Sequence, residues 1–445
     1  MSCTNSCDSY QPGGSSGFNP RSGVDPLSDA GVCLRDAILM QRLGINTVRI
    51  YNLDPSIDHS RCMSIFNAAG IYMILDVNSP LPNEAIDRSA PWTSYNDDYM
   101  RRVFQIVEAF KNFPNTLGFF SANEVINEDS VPAAPQYIRA VTRDIKDYIA
   151  KNSRRTIPVG YSAADVRPLL VDTFTYLGCD LANSTSSKMD FFGLNSYSWC
   201  GEASYRSSGY DILVSDFSNT TIPIFFSEYG CNQVTPRIFT EVGAIYSSPF
   251  SGVFSGGIVY EYSQEPNNYG LVTLNSDGSV DLSVDYENLQ RQFNRINVQS
   301  LTAQNSTATG RRAPSCSSVR VRSNITNSFA VPARLPGIQS MIDNGVRGTF
   351  PTGTVAVTST QETAVVKASN GQTISGLALK ILPNDSSNLP GNNTSGTTGN
   401  SGPGLNASRT SGGSSPTNSN AAATMQMGAG AVAVGGLIAG LAALL

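Results

Sequence analysis

From residue 11 to about residue 300, short apolar runs alternate with stretches of helical periodicity. Runs such as Ile71-Tyr72-Met73-Ile74-Leu75 are apolar at successive positions. That is the pattern of a strand covered on both faces, as in a parallel sheet. Seven such strands are predicted, at residues 46–51, 71–76, 116–122, 157–161, 190–195, 222–227 and 254–260. Helices are predicted between and after them, at 33–43, 59–69, 95–112, 136–151, 167–177, 210–217, 239–246 and 286–297. This alternation predicts an α/β fold, a (β/α)8 TIM barrel whose first strand is missing or altered. The place of that strand is immediately before Tyr10. A doubly wound sheet shares the same local pattern.

Residues 1–300 are therefore assigned to the barrel, and 301–389 to a C-terminal extension packed on it. Pro314, Pro332 and Pro336 punctuate the extension. A helix is predicted at 335–344, and short strands at 353–360, 363–368 and 376–382, near the turn dipeptide Asn370-Gly371. Residues 390–427 are dominated by Ser, Thr, Gly and Asn, a composition that cannot offset its own ordering entropy and predicts a flexible stalk. Residues 428–445 are an uncharged apolar run. Small residues, a polar spacer and an apolar tail predict a GPI-attachment signal, with Asn420 as the attachment residue. The alternative is a tail-anchored helix that barely spans a bilayer. Met1–Tyr10 has no basic start and no apolar core, so the expectation is that the natural start is missing or altered.

Charge and composition narrow the chemistry. Lys and Arg number 30 against 35 Asp and Glu, a net charge of −5 with no basic block, which argues against nucleic acid as a partner. There is one histidine, His59. Imidazole-dependent nucleophile systems and His-rich zinc sites need more than that. No metal or cofactor is implied, and His59 reads as a helix-start residue without catalytic duty. Eight cysteines, none in a Cys-x-x-Cys pair, suit disulfides in an oxidising compartment. Asn-x-Ser/Thr triplets at Asn183, Asn219, Asn305, Asn324, Asn384, Asn392, Asn393 and Asn406 agree with a secreted glycoprotein.

Two glutamates stand at strand ends. Glu124 closes the run Leu117-Gly118-Phe119-Phe120-Ser121-Ala122-Asn123, and Glu228 closes Ile222-Pro223-Ile224-Phe225-Phe226-Ser227. By the strand count they end the fourth and seventh barrel strands, on the face where such barrels place their chemistry. Two opposed carboxyls can cleave a glycosidic bond, one protonating the leaving oxygen and the other attacking the anomeric carbon. Arg49 and Asp54 are expected to form a structural ion pair.

Asn123-Glu124-Val125, the segment from Phe192 to Gly201, Phe226-Ser227-Glu228-Tyr229-Gly230-Cys231-Asn232, Ser255-Gly256-Gly257-Ile258-Val259-Tyr260-Glu261-Tyr262 and the segment from Asn267 to Val272 resemble the fungal GPI-anchored β-1,3-glucanosyltransferases of glycoside hydrolase family 72. The resemblance implies a retaining transglycosylase that cuts β-1,3-glucan internally and joins the donor piece to the non-reducing end of another β-1,3-glucan. It implies Glu124 as acid/base, with a raised pKa, and Glu228 as an ionised nucleophile. It further implies Gln11, Tyr51, Asp76, Asn123, Tyr197 and Tyr260 as sugar-contacting or supporting residues. Tyr197 would donate to Glu228, and Asn123 would bind the 2-hydroxyl of the sugar under attack. The implied disulfides are Cys33–Cys62, Cys179–Cys316 and Cys200–Cys231, leaving Cys3 and Cys7 extra. The implied partners are glucan chains and, through the anchor, the outer face of the plasma membrane and the cell wall, with the protein a monomer. A plain endo-β-1,3-glucanase and a non-catalytic, anchored glucan-binding wall protein are the alternatives.

Overall fold

The computed structural model describes residues 7–12, 22–302, 311–326 and 328–398. Eight parallel strands form a closed barrel in chain order: β1 (Cys7–Ser9), β2 (Thr47–Ile50), β3 (Tyr72–Asp76), β4 (Thr116–Asn123), β5 (Val159–Ala164), β6 (Phe191–Asn195), β7 (Ile224–Tyr229) and β8 (Phe254–Val259). The first strand is therefore present and not missing, in the altered form that the sequence left open. Cys7 and Asp8 pair with Thr47 and Val48 on one side and Ile258 and Val259 on the other. Its sequence, Cys-Asp-Ser, carries no apolar signal. What makes it a strand is the pair of unpaired edges that β2 and β8 would otherwise leave.

Each strand is followed by a helix: α1 (Ala30–Leu43), α2 (Ser60–Ala68), α3 (Asp97–Phe110), α4 (Ala134–Asn152), α5 (Arg167–Gly178), α6 (Tyr210–Phe217), α7 (Glu241–Ile245) and α8 (Val284–Phe293). Local chemistry fixes several ends. Asp29 caps α1 by accepting from the Gly31 and Val32 amides, and Asn96 caps α3 through Asp98 and Tyr99. The barrel interior is filled by Ile74, Phe120, Phe191, Phe225 and Ile258. Gly160 makes room for this layer, since a Cβ there would lie 2.3 Å from the Phe191 ring.

A second sheet forms beside the barrel in the order β13-β12-β11-β10-β9. Its β9 (Val272–Leu274) and β10 (Val280–Leu282) form a hairpin inserted between β8 and α8, and β11 (Val366–Lys367), β12 (Thr373–Ser375) and β13 (Thr397–Thr398) come from the C-terminal segment. The strand predicted at 353–360 is absent. There the chain lies along the barrel, with the Val355 amide donating to Ser64 Oγ and Asn112 donating to the Pro351 carbonyl. Barrel side chains thus hold two backbone groups of this stretch that a ladder would otherwise take. The strands expected at 363–368 and 376–382 reduce to Val366–Lys367 and, shifted, to Thr373–Ser375. The helix Pro336–Asn344 forms as expected, tied to α4 by Arg334, which bonds Asp144 and Asp147.

Residues 390–398, which composition assigns to the stalk, are instead held against α1. Gln41 is the hub, exchanging backbone hydrogen bonds with Lys380 and accepting from Asn393 Nδ2. Asn393 is 4% exposed, so its glycosylation triplet is occupied by packing. Residues 399–445, with the rest of the stalk, Asn420 and the apolar tail, lie outside the described residues, as do Cys3 and the side chain of Cys7. Among the described residues no helix is long and apolar enough to cross a membrane.

Cys33–Cys62 joins α1 to α2, Cys179–Cys316 ties the end of α5 to the C-terminal segment, and Cys200–Cys231 links the loops after β6 and β7. His59 sits at the start of α2, fully buried, with Nε2 2.7 Å from Asp25 Oδ2 and its ring stacked on Phe110. Its side chain meets Asp25 and Phe110 and bonds neither strand-end glutamate.

Candidate active site

Glu124 follows β4 and Glu228 lies near the end of β7, so both stand at the C-terminal mouth of the barrel. Between them in the sheet runs β6, whose last residue, Asn195, is in register with Glu228. Asn195 Nδ2 donates to Glu124 Oε1 at 2.8 Å and to Asn123 Oδ1 at 3.2 Å. Its Oδ1 accepts from Ser227 at 2.7 Å, Ser162 at 3.1 Å and Arg49 at 3.4 Å. These acceptances leave the amide nitrogen as the end facing Glu124. Glu124 itself has φ 51°, a left-handed conformation uncommon outside glycine, and its amide donates to the Ser162 carbonyl at 2.8 Å. Strain of this kind concentrates at functional sites.

Arg49, in the middle of β2, is the charge at the centre. It is fully buried and spans two carboxylates. Its fork bonds Asp76 through Nη2 at 2.8 Å and Nε at 3.2 Å, and Nη1 reaches Glu228 Oε1 at 3.1 Å. Nη2 also donates to Asn123 Oδ1 at 3.0 Å. The guanidinium lies over the Phe120 ring at 4.6 Å, directly on the aromatic filling of the barrel. Burial works against its charge, but Asp76, Tyr51 and Glu228 outweigh that cost and raise its pKa. The expected Arg49–Asp54 pair is not formed. Asp54 instead accepts from the Ser56 amide and hydroxyl two residues on, a local turn.

Glu228 is 9% exposed and takes two further donors. Tyr51 Oη donates to Oε1 at 3.0 Å and Tyr197 Oη to Oε2 at 2.7 Å. Burial pushes the Glu228 carboxyl above its ordinary value and Glu124 adds to the rise, while Arg49, Tyr197 and Tyr51 pull it back. Burial also drives the Tyr51 and Tyr197 hydroxyls well above their usual range, so both remain protonated donors. Asp76 is raised by burial and lowered by Arg49.

An aromatic wall closes one side. The Tyr197 ring packs against Tyr260 at 6.2 Å and Tyr269 at 5.6 Å, and those two meet at 5.2 Å. Tyr51 reaches Tyr260 at 6.5 Å.

The structure thus brings Tyr51, Asp76, Asn123, Glu124, Tyr197, Glu228 and Tyr260 into one constellation. Asp76 is 5% exposed and bidentate on Arg49, so it bears on the site through that arginine. Gln11 follows β1 at the same mouth, 5% exposed, its carbonyl accepting from Ser263. Sequence reasoning missed the roles of Arg49 and Asn195 and the part of Tyr269 in the wall. A signal existed for Arg49. A charged residue inside the apolar run Thr47-Val48-Arg49-Ile50 must find carboxylates, and Arg49 pairs in register with Ile74, two residues before Asp76. Among the described residues no group of three or more His, Cys, Asp or Glu is arranged to hold a metal.

Comparison with known proteins agrees with this architecture. Residues 7–297 match the family model described as Glucanosyltransferase. The chain is 55% identical over 390 residues to the 1,3-beta-glucanosyltransferase gel2 of Aspergillus fumigatus, covering 87% of this chain and 81% of that protein. It is 49% identical over 355 residues to the probable 1,3-beta-glucanosyltransferase GAS3 of Saccharomyces cerevisiae, covering 76% and 67%. Among solved structures, Saccharomyces cerevisiae Gas2p in complex with laminaritriose and laminaritetraose superposes with a TM-score of 0.63 at 34% identity, over 74% of this chain and 72% of that one. A Glu-to-Gln mutant of the same protein, in complex with laminaritetraose and laminaripentaose, gives 0.64 at 34% identity, covering 74% and 70%. The chain belongs to the fungal 1,3-β-glucanosyltransferases of glycoside hydrolase family 72.

Proposed function

We propose that this protein is a retaining β-1,3-glucanosyltransferase that remodels cell-wall glucan, with Glu228 as nucleophile and Glu124 as acid/base. The observation that carries the reading is the bridge through Asn195 and Arg49 that ties the two strand-end glutamates into one site. The environments of the two glutamates differ in the way a double displacement needs. Glu228 receives three donors, Arg49, Tyr51 and Tyr197, which suit a carboxylate. Glu124 receives one amide N–H, on Oε1, so among the described residues its Oε2 faces the site without a bonded donor.

In the first step a Glu228 oxygen attacks the anomeric carbon of an internal glucose. The Glu124 proton passes to the departing glycosidic oxygen as the C–O bond breaks. The donor chain is then an ester on Glu228, and the piece with the old reducing end leaves. In the second step Glu124, now a carboxylate, takes the proton of the 3-hydroxyl at the non-reducing end of an acceptor chain. That oxygen attacks the same carbon and frees Glu228. Two inversions return the β-configuration, and the pair of carboxyls must lie about 5–5.5 Å apart for this to work. Asn123 Oδ1 is occupied by Arg49 and Asn195, so its amide nitrogen is the end offered to the 2-hydroxyl. Transfer in place of hydrolysis then depends on how well an acceptor is bound and aligned at the ester.

The compositional reading of the C-terminus supports anchorage at the outer face of the plasma membrane and in the wall by a GPI lipid at Asn420. Incubation with reduced laminari-oligosaccharides followed by product sizing tests the activity. Chains longer than the starting material are expected. Shorter chains alone would indicate an endo-glucanase, and no change at all would indicate a binding protein.

A further inference from the structure

Arg237 has no assigned part in the site, yet it is 2% exposed directly behind the mouth. It comes from the loop between β7 and α7. Its guanidinium donates to three backbone carbonyls drawn from two different loops. Nη1 bonds Tyr260 O at 2.7 Å and Gly230 O at 3.3 Å, and Nη2 bonds Tyr269 O. Its Nε and its own amide both bond Asp285 at the start of α8, at 2.6 and 3.0 Å. The guanidinium also lies over the Phe239 ring at 4.8 Å and the Tyr269 ring at 5.7 Å. From the other side, Asn232 donates to the Asn267 and Asn268 carbonyls of the same loop.

Two of those carbonyls belong to the tyrosines that build the aromatic wall against Tyr197. Tyr260 leaves the end of β8 and Tyr269 returns after an eight-residue excursion, joined to it by one backbone bond, from the Glu261 amide to the Tyr269 carbonyl at 3.2 Å. To that bond the guanidinium fork adds a side chain that holds both tyrosine carbonyls at once. From this geometry we infer that Arg237 is a positioning residue for glucan binding. By clamping the Tyr260 and Tyr269 carbonyls it sets the wall on which sugar rings lie beside Glu228. The inference rests on the reading of this mouth as a glucan site. A lysine in its place keeps the charge beside Asp285 but offers one compact ammonium, which cannot span carbonyls in two loops.

The test is the KM for laminari-oligosaccharide cleavage in R237K, R237Q and D285N, with thermal melting alongside. KM does not depend on the fraction of molecules that folded, so a stability loss appears in apparent kcat and in the melt. R237K is expected to raise KM about tenfold with a smaller fall in kcat, and R237Q to raise it at least as far. D285N keeps the carbonyl clamp and is expected to lower the melting temperature with KM within about twofold of wild type. A KM near the wild-type value in both Arg237 variants overturns the assignment. So does a D285N variant that raises KM as much as R237K, since docking of α8 would then be the cause. Product sizing with the wild-type protein separates the two readings. Absence of elongated chains refutes transfer, while the KM comparison on cleavage still decides the role of Arg237.

Discussion

Tyr197→Phe removes one hydroxyl and keeps the ring that packs on Tyr260 and Tyr269. What is lost is the 2.7 Å bond to Glu228 Oε2, the one donor to that oxygen among the described residues, against two on Oε1. A hydrogen bond to a charged group contributes about 1.5–3 kcal/mol. At about 1.36 kcal/mol per factor of ten, its loss weakens the charged form about tenfold or more and moves the Glu228 pKa further up. Burial already pushes that carboxyl up, and Tyr197 is one of the groups holding it back. The sign follows. Glu228 attacks as a carboxylate, so a higher pKa moves the acidic limb of kcat/KM to higher pH. Below the new limb the variant should lose about tenfold or more against wild type, and on the plateau it should recover most of its rate. The assay is chain cleavage of laminari-oligosaccharides across about pH 3.5 to 8, with kcat/KM fitted at each pH. A variant whose acidic limb coincides with that of wild type would refute the claim that this hydroxyl holds the nucleophile in its charged form.

Glu228→Gln should abolish turnover while laminari-oligosaccharide binding, measured by calorimetry, survives; near-normal transfer would remove Glu228 from the mechanism. Glu124→Gln should keep residual cleavage only on substrates whose leaving group needs no proton, so a rate loss independent of leaving group would argue against its acid role. Glu241, at the start of α7, is 4% exposed, and burial lifts its carboxyl to about 7. The folded state therefore holds a proton that the unfolded state has released between its ordinary value of 4.5 and about 7, and wild-type stability falls as pH rises through that window. Glu241→Gln should be more stable than wild type at pH 8, by up to roughly 3 kcal/mol, and gain nothing near pH 4. Urea melts at the two pH values check this. Gly160→Ala should lower stability by about 1–3 kcal/mol or block folding, because the added methyl meets Phe191 inside the barrel. An unchanged melt would contradict the packing described.

The strands readable from sequence are those buried on both faces, whose runs are mostly apolar. β1 was not, because Cys-Asp-Ser becomes a strand only through the edges it closes. The glutamates were legible because a carboxylate after an apolar run is conspicuous. Arg49 and Asn195 were harder to place, since the glutamates they join lie five and two strands away from them in the chain. The C-terminal segment misled for a different reason. The run at 353–360 reads as a strand, but its Val355 amide bonds the Ser64 side chain of α2 and no ladder forms there. The hairpin of β9 and β10 escaped notice because three-residue strands carry too little pattern.

The central claim is a covalent glucan ester on Glu228, and trapping it is the most direct test. A fluorosugar donor with a good leaving group slows both steps but slows release more, so the ester accumulates. After digestion, mass spectrometry should find the sugar on the peptide that carries Glu228, and Glu228→Gln should remain unlabelled. Label on another residue, or turnover that releases an inverted sugar with no label at all, would contradict the account.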